Sequence, residues 1–352
     1  MPNSVKPARP TITVGGQDKD LLGQGLLGMV VHETVSGLYR CEAVFGNWGT
    51  VAGQTGFLYF DRRLLDFGKA FAIKLGSDTL FDGRITGLEA HFPEGRPPEL
   101  AVLAEDRFQD LRMTRRTRTF ADVSDADVMQ TVAGDHGLSP SISVSGPTHK
   151  VLAQVNQSDL AFLRERARAI DAELWMSGQT LNVKPRSGRS GAALPLAFGR
   201  ELREFSALSD LAGQRTSVNV SGWDVSSKSA LTHESAESVV SGEVGGDVSG
   251  VSILKSALGD RKEALVHGVP INGQEAQARA DAYFKAMARR FVTGRGIAET
   301  DGRLRVGAAA QLEGLGPLFS GKYYVAEVRH VFDGAQGLRT EFMAERPGIG
   351  RP

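Results

Sequence analysis

Glycine-rich turns are the first places in this sequence where chemistry is conceivable. Gly23, Gly25 and Gly28 have the G-x-G-x-x-G spacing, which in dinucleotide-binding proteins follows a strand and opens a helix whose N-terminus holds the pyrophosphate. The residues that follow here, 29–35 (MVVHETV), are rich in β-branched side chains and favour a strand instead. The glycine-rich segment 49–56 (GTVAGQTG) lacks the Lys-Ser/Thr pair of a phosphate-binding loop. We therefore predict no cofactor site and no bound cofactor.

Histidines, serines and cysteines form no catalytic or metal-binding pattern. No two of the seven histidines stand four residues apart, as a helical zinc site requires, and the G-x-S-x-G of a nucleophile elbow is absent. His330 lies on the apolar face of a predicted strand and is expected to be a buried structural histidine, whereas His267, in a short apolar run, is predicted to be a loop or strand residue. The single cysteine, Cys41, excludes an intrachain disulfide and a multi-cysteine zinc site and is expected to be buried. The sequence predicts no catalytic residue, no metal ligand and no enzyme.

Charge and hydropathy limit the classes of partner. The 41 Lys and Arg residues balance the 41 Asp and Glu residues, which argues against nucleic acid or an anionic membrane as the main partner. One run of arginines could bind phosphate, but Asp106 and Asp110 beside it favour a solvated or interface face; the run comprises Arg112, Arg115, Arg116 and Arg118. The N-terminus lacks an apolar signal core, and no stretch approaches about 18 uncharged apolar residues. We expect a soluble protein made in the cytoplasm, with no membrane partner and no specific nucleic acid.

Among the elements that would position these residues, one hairpin pattern occurs twice. Residues 80–107 (LFDGRITGLEAHFPEGRPPELAVLAEDR) and 318–346 (LFSGKYYVAEVRHVFDGAQGLRTEFMAER) both open with Leu-Phe-x-Gly, in which the glycines are Gly83 and Gly321. Each continues as an alternating strand that ends at Phe92 or Phe332, then a glycine-bearing turn and a second alternating strand. The first strands differ by two residues, which is the strand period, so their inward and outward faces stay in phase. The pattern predicts two related β modules; two ordinary hairpins that share common β residues are the alternative.

Helix signals interrupt the β pattern in two places. Ser124 and Asp127 form a capping box for a helix over 125–135, and Ser158 is the expected N-cap of a helix with an apolar stripe. A polar stretch over 226–250 is predicted to be a loop or partly disordered, and Asn272 is expected to cap a long helix over 274–292.

The resulting fold class is mainly β with α+β insertions: two similar antiparallel β-barrel domains plus two smaller α/β segments. The predicted boundaries are 1–118 for the first β-barrel domain, 119–198 for an α+β domain, and 199–226 with 295–348 for the second β-barrel domain. Residues 227–294 form the predicted insertion with the long helix.

A family resemblance extends this interpretation. The stretch 155–175 (VNQSDLAFLRERARAIDAELW) resembles the N-x-S-D-x-x-F-L-R motif of the late-control D family, the hub proteins of contractile phage tails. The matching residues are Asn156, Ser158, Asp159, Phe162, Leu163 and Arg164. The stretch with Gly83 resembles the first-module hairpin of that family, and the stretch with Gly321, Tyr324 and His330 resembles its closing hairpin. The resemblance runs from about residue 10 to residue 346 in the order of the family, and it implies that these residues have structural roles.

The resemblance implies a structural baseplate hub of a contractile injection system or phage tail, related to the hub half of type VI spike proteins. Its β domains would be tube-like, and a homotrimer would present six similar modules around a channel with polar, near-neutral faces. The implied partners are a trimeric spike protein, a hexameric inner tube or tube-initiator protein, baseplate wedge proteins and cargo in the channel. Spike fusions continue into an OB-fold and a needle, whereas this sequence stops at Pro352, so the spike is expected to be a separate polypeptide. The protein would be assembled into a virion or injection particle.

Two other functions stay open at the level of sequence. One is a tail-associated hydrolase that uses the α+β segment or the 227–294 insertion, which would need an acid/base pair in a cleft. The other is a β protein that binds a carbohydrate or a nucleic acid, which would show retention on a sugar or polyanion column.

Overall fold

The computed structural model describes residues 9–224, 227–266, 270 and 272–352. The fold is mainly β. In the described residues, one 13-stranded sheet contains strands from both ends of the chain, and smaller sheets flank it. Apolar side chains collect in separate cores, one for each end of the large sheet, one for the middle of the chain, and smaller ones for the insertion.

The first module supplies one end of the large sheet. Its elements are β1 (Thr11–Val14), β2 (Gln17–Asp18), α1 (Asp20–Gly25), β3 (Leu26–Thr34), β4 (Arg40–Gly46), β5 (Gly49–Val51), β6 (Gln54–Gly56), β7 (Ala70–Leu75), β8 (Asp78–His91), β9 (Glu99–Glu105) and α2 (Phe108–Met113). Side by side, the strands run β3-β4-β9-β8-β7-β1-β2. Their alternate residues point inward, where Phe45, Phe71 and Phe81 form the centre of the core.

The middle of the chain folds as an α+β unit with its own core. Its elements are β10 (Arg115–Ser124), α3 (Asp125–Asp135), β11 (Ser139–Ile142), β12 (Thr148–Ser158), α4 (Asp159–Ala169), β13 (Ala172–Ser177), β14 (Thr180–Pro185) and α5 (Arg186–Arg189). The predicted capping box is confirmed, because the Asp127 backbone N–H donates to the Ser124 hydroxyl and the Asp127 carboxylate accepts from the Ser124 N–H.

The second module begins after this unit and is interrupted by an insertion. The elements up to the end of the insertion are β15 (Leu194–Ala197), β16 (Leu202–Ser209), β17 (Ser217–Asp224), β18 (Ser229–Ala236), a 3₁₀ turn (Glu237–Val240), α6 (Ser241–Val244), β19 (Val248–Ser249), α7 (Gly250–Leu258), β20 (Lys262–Leu265) and α8 (Gly273–Ala288). The module is completed by β21 (Val292–Glu299), β22 (Ala309–Glu313), α9 (Gly316–Phe319), β23 (Gly321–Asp333), β24 (Gly337–Arg346) and β25 (Gly348–Ile349).

The insertion differs from its prediction in two respects. The polar stretch predicted to be a loop contains β18 and α6. β17, predicted to be a strand of the second module, pairs with β18 and β20 in a separate three-stranded sheet. The reason is the apolar stripe of α8: Ala276, Ala280 and Phe284 are buried against Val218 and Val220 of β17, so the helix holds this small sheet beside it. As predicted, Asn272 caps α8.

The prediction that the two β modules form closed barrels was also wrong. They do not form two closed barrels in the described part of the chain; β3 pairs antiparallel with β23, so one sheet continues through both modules. A strand edge presents unpaired N–H and C=O groups that favour pairing with another strand. Here the edge of one module satisfies the edge of the other.

Candidate functional site

The two predicted β modules are the same four-strand unit. The first has the order β3-β4-β9-β8 and the second the order β16-β21-β24-β23. The registers of β8–β9 and β23–β24 each shift by one residue, after Ile85 and after Val325. Ile85 accepts a backbone hydrogen bond from Gly68 (2.8 Å), and Val325 accepts the equivalent bond from Gly307 (2.9 Å). A second pair of bulges matches as well, in β3–β4 and in β16–β21. The repeat therefore extends to strand order, register and bulges.

The paired glycines of the repeat sit where the neighbouring chain leaves little room. A Cβ atom on Gly83 would meet the carbonyl oxygen of Glu105 and the ring of Phe81. A Cβ atom on Gly321, whose φ is +141°, would meet the guanidinium of Arg346. Only glycine permits both approaches without displacement.

The motif in the middle of the chain shapes the start of α4. Asn156 has a φ of +47°, a left-handed conformation that asparagine tolerates better than most residues. Its N–H donates to Thr117 (3.1 Å), and its carbonyl accepts from Arg115 (3.1 Å). The Ser158 hydroxyl then accepts from the backbone N–H of Ala161 (3.1 Å), as the predicted N-cap.

Asp159 is the carboxylate partner of two residues of the arginine run, Arg116 and Arg118. Its carboxylate is fully buried and accepts from Gln154 (2.8 Å), His136 (2.8 Å) and Arg116 (3.1 Å), with Arg118 at 3.4 Å. Burial opposes ionisation, but the hydrogen bonds from Gln154, His136 and Arg116 hold the pKa of Asp159 below its ordinary value. Two of the four arginines thus complete a buried carboxylate site.

The rest of the motif attaches the middle unit to the first module. Phe162 and Leu163 are buried in the middle core. Arg164 points the other way, and its guanidinium donates to the carbonyls of Ser36 (2.7 Å) and Gly37 (3.2 Å), in the turn between β3 and β4. Helix α4 is therefore fixed to the first module by a charge-assisted contact.

Tyr324 attaches the same unit to the second module. Its hydroxyl donates to Glu173, and the Arg186 guanidinium lies 3.9 Å from its ring centroid. Arg186 also bonds Glu345 of β24 (2.6 Å), and Arg189 bonds Glu173 (2.9 Å). Burial raises the pKa of the Tyr324 hydroxyl, which keeps it protonated as a donor. Sequence analysis missed Glu173, Arg186 and Arg189, because no local pattern marks them and each also bonds a residue far along the chain, namely Tyr324, Glu345 and Tyr39 respectively.

A third set of contacts joins the two modules directly. Glu33 of β3 is buried and pairs with Arg305, which also donates to the carbonyl of Thr79 (2.7 Å). His330 is buried as predicted, beside β3, and its Nδ1 lies 2.9 Å from the Thr340 hydroxyl. Burial and the nearby Arg305 lower the pKa of His330 to about 3, so its ring is neutral at neutral pH.

The other sequence candidates are placed as follows. Gly23 and Gly25 lie at the end of α1, and Gly28 lies inside β3, so the glycine turn leads into a strand. Cys41 is buried, as predicted. His267 lies outside the described residues. Within the described ranges, no group of three or more His, Cys, Asp or Glu residues could hold a metal ion. No described helix combines the length and hydrophobicity of a membrane span.

A cleft of about 790 Å³ lies between α4 and α8, where a hydrolase site would be sought. Three of the four carboxylates that line it are in ion pairs, Asp171 with Arg289 and both Glu173 and Glu345 with Arg186, and Glu165 accepts a hydrogen bond from Gln157. The three paired carboxylates therefore accept hydrogen bonds from arginines that connect neighbouring elements.

Comparison with known protein families identifies the family of this chain. The model of the family described as the Alg8 N-terminal domain matches residues 47–333. The chain belongs to the Alg8 N-terminal domain family. This family is a different one from the late-control D family, to which the sequence bears the resemblance described above. None of the curated proteins has a sequence significantly similar to this chain.

Solved structures of tail proteins share the fold. The 43 kDa tail protein of prophage MuSo2 from Shewanella oneidensis has a TM-score of 0.72 at 10% identity, over 96% of this chain and 98% of that one. The tail protein from Neisseria meningitidis MC58 has a TM-score of 0.70 at 12% identity, over 97% of each chain. The E. coli c3393 protein, a type VI secretion component with structural similarity to T4 tail proteins gp27 and gp5, has a TM-score of 0.57 at 11% identity, over 97% and 79%. This member of the Alg8 N-terminal domain family thus has the fold of phage tail proteins.

Proposed function

We propose that the chain is a structural baseplate hub of a contractile injection system or phage tail. In this role, three copies form a ring that joins a trimeric spike protein to a hexameric inner tube or tube-initiator protein. The observation that carries the proposal is the four-strand module present twice in one chain, with equal strand order, register and bulges. Three chains then supply six similar modules, which resolves the mismatch between threefold and sixfold symmetry.

The contacts between the units of the chain suit this role. The middle unit contacts the first module through Arg164 and the second through Tyr324, and Glu33 with Arg305 joins the modules to each other. A connector that transmits force between a spike and a tube needs its modules in a fixed relation. These contacts are directional and charge-assisted, so each one favours a single orientation of the two units that it joins.

The outward face of the large sheet would face the channel in such a ring. Acidic and basic side chains pair on it, as Arg329 does with Glu341 (3.0 Å). Charges that neutralise one another offer cargo no strong binding site. We propose a structural role without catalysis, with wedge proteins and cargo as further partners and a tail or injection particle as the place of assembly.

The separate cores also support a division of the chain into four units. We propose a first module, a middle α+β unit, a second module and an insertion, close to the predicted boundaries. One change is needed: residues 217–224 go with the insertion, since β17 pairs with β18 and β20.

The test is the solution mass of the purified chain by light scattering, alone and after co-expression with the products of neighbouring genes. The expected mass in at least one condition corresponds to three copies of the 37.7 kDa chain, bound to a trimeric partner where one is present. A single-chain mass under both conditions contradicts the hub proposal.

A further inference from the structure

Equivalent phenylalanines of the two modules have opposite surroundings. Phe92 directly follows the last residue of β8 and is 64% exposed, whereas its equivalent in the repeat, Phe332 of β23, is 3% exposed. Phe332 is covered because β3 lies beside β23 and puts Met29 directly opposite it. At Phe92 the described chain has no such neighbouring strand, and the pairing of β8 with β9 has ended one residue earlier, at His91.

The two strand edges needed for a second such junction are both available. β7 pairs with β8 only up to Arg84, so among the described residues the stretch from Gly87 to His91 pairs with β9 alone. β16 ends the large sheet, and from Glu204 to Ser209 it pairs only with β21 in the described part of the chain. In the repeat, β16 corresponds to β3 and β8 to β23. These edges are therefore the counterparts of the junction that already exists inside the chain.

We propose that β16 of one copy pairs antiparallel with β8 of a second copy, in the register that β3 and β23 adopt within the chain. The internal pair His330 with Val31 then becomes Ala90 of the second copy with Ala207 of the first. The internal pair Phe332 with Met29 becomes Phe92 with Phe205. This inference rests on the proposed hub ring and specifies the strands and residues through which the copies join.

Aromatic side chains on both edges fit this pairing. Phe92 packs against Phe57 and Phe60 (6.2 and 5.9 Å between ring centroids), and Trp48 lies 5.1 Å from Phe57. Phe205, near the other edge, stacks on Phe342 at 6.2 Å. An exposed aromatic cluster of this kind is typical of an interface core, and the pairing brings the two clusters together.

The first experiment places cysteines at the predicted pair, Ala90→Cys with Ala207→Cys, and follows oxidation on a non-reducing gel. Six strands separate β8 from β16 within one chain, so a disulfide reports on two copies, and three disulfides close a covalent trimer. The control combines Ala90→Cys with Ser206→Cys, one residue out of register. The crosslinked fraction should be about tenfold higher for the predicted pair, because a one-residue shift turns the side chain to the opposite face.

The outcomes separate this inference from the hub proposal. A trimer by light scattering that crosslinks equally in both variants, or in neither, overturns the strand pairing and leaves the ring. A single-chain mass without crosslinks, at concentrations where oxidation would trap transient contacts, overturns both.

A second experiment uses two exposed phenylalanines. Phe92→Ala should weaken self-association by about tenfold or more, because interface aromatic residues carry a large share of binding energy. Phe67→Ala is the matched control, since Phe67 is 53% exposed and takes no part in the proposed pairing. Equal association of the two variants would contradict the role of Phe92.

Discussion

When the two modules are compared strand by strand, one strand end that is buried in the second module is exposed in the first. The end of β23 is covered by β3, whereas the equivalent end of β8 is open to solvent. The connections differ too: β4 reaches β7 through a long segment with β5 and β6, and β21 reaches β22 through a short one. The same backbone unit therefore serves as an internal junction at one end of the chain and as an open surface at the other. Burial is decided by the neighbouring strand and not by the residue type.

The largest loss of stability is expected at the pair of equivalent phenylalanines whose surroundings differ most, Phe332 and Phe92. Phe332→Ala should lower the free energy of unfolding by about 4 kcal/mol, since truncation of a buried phenylalanine leaves a cavity. Phe92→Ala should lower it by about 0.5 kcal/mol, as exposed substitutions do. Denaturant unfolding of both variants under monomeric conditions checks the difference. Similar losses would mean that the two modules are not in opposite surroundings.

A second prediction concerns the unit that connects to both modules. Asp159→Asn should destabilise the chain by about 3 kcal/mol, because it removes the buried partner of Arg116 and His136 while keeping the size of the side chain. The exposed cap variant Asp127→Asn serves as a control and should lose about 1 kcal/mol or less. Thermal unfolding followed by circular dichroism separates them. Equal midpoints would show that the buried site contributes little.

The paired glycines test whether both modules are packed equally tightly. Gly83→Ala should lower the free energy of unfolding by about 2 kcal/mol, because the new methyl group meets a backbone carbonyl that cannot move alone. Gly321→Ala should lower it by about 1 kcal/mol, since the end of the Arg346 side chain can shift and the remaining penalty comes from its φ. Urea unfolding of the two variants gives both values, and a reversed order would contradict this account.

The pH dependence of unfolding tests the junction between β3 and β23 through one titratable residue of the second module, His330. The pKa of His330 is lowered to about 3 in the folded chain, below the value of about 6.5 in an unfolded chain. Its contribution to stability is therefore complete above pH 6.5 and is lost as the pH falls toward 3. Between pH 6.5 and 5 the free energy of unfolding should drop by about 1.5 kcal/mol through this group.

The control for this titration is His330→Gln, which cannot titrate. Its free energy of unfolding should change less over the same pH range, although it starts from a lower value. An unchanged pH dependence would show that His330 is accessible to protons in the folded chain. In the first module, Ala90 holds the equivalent position, so no matching titration is expected there.

Prediction from the sequence succeeded where neighbours along the chain decide the structure. The capping box at Ser124, the N-caps Ser158 and Asn272 and the hairpin repeat were all predicted, and the structure has them. These features depend on residues within about four positions, or on strand alternation that repeats every two. The burial of His330 followed from the same alternation.

What the sequence alone determined is thus part of the local content of the chain: the strands of the repeat, the starts of α3, α4 and α8, and the repeat itself. Only the tertiary structure decided which strand edges meet. β3 pairs with β23 in one sheet, and β17 pairs with β18 and packs against α8 in the insertion. It also decided the contacts of Tyr324 with Glu173 and of Arg186 with Glu345, which join residues more than a hundred positions apart. The reason is that a strand edge offers the same N–H and C=O groups to every partner, so the choice depends on packing between elements that are distant in the sequence.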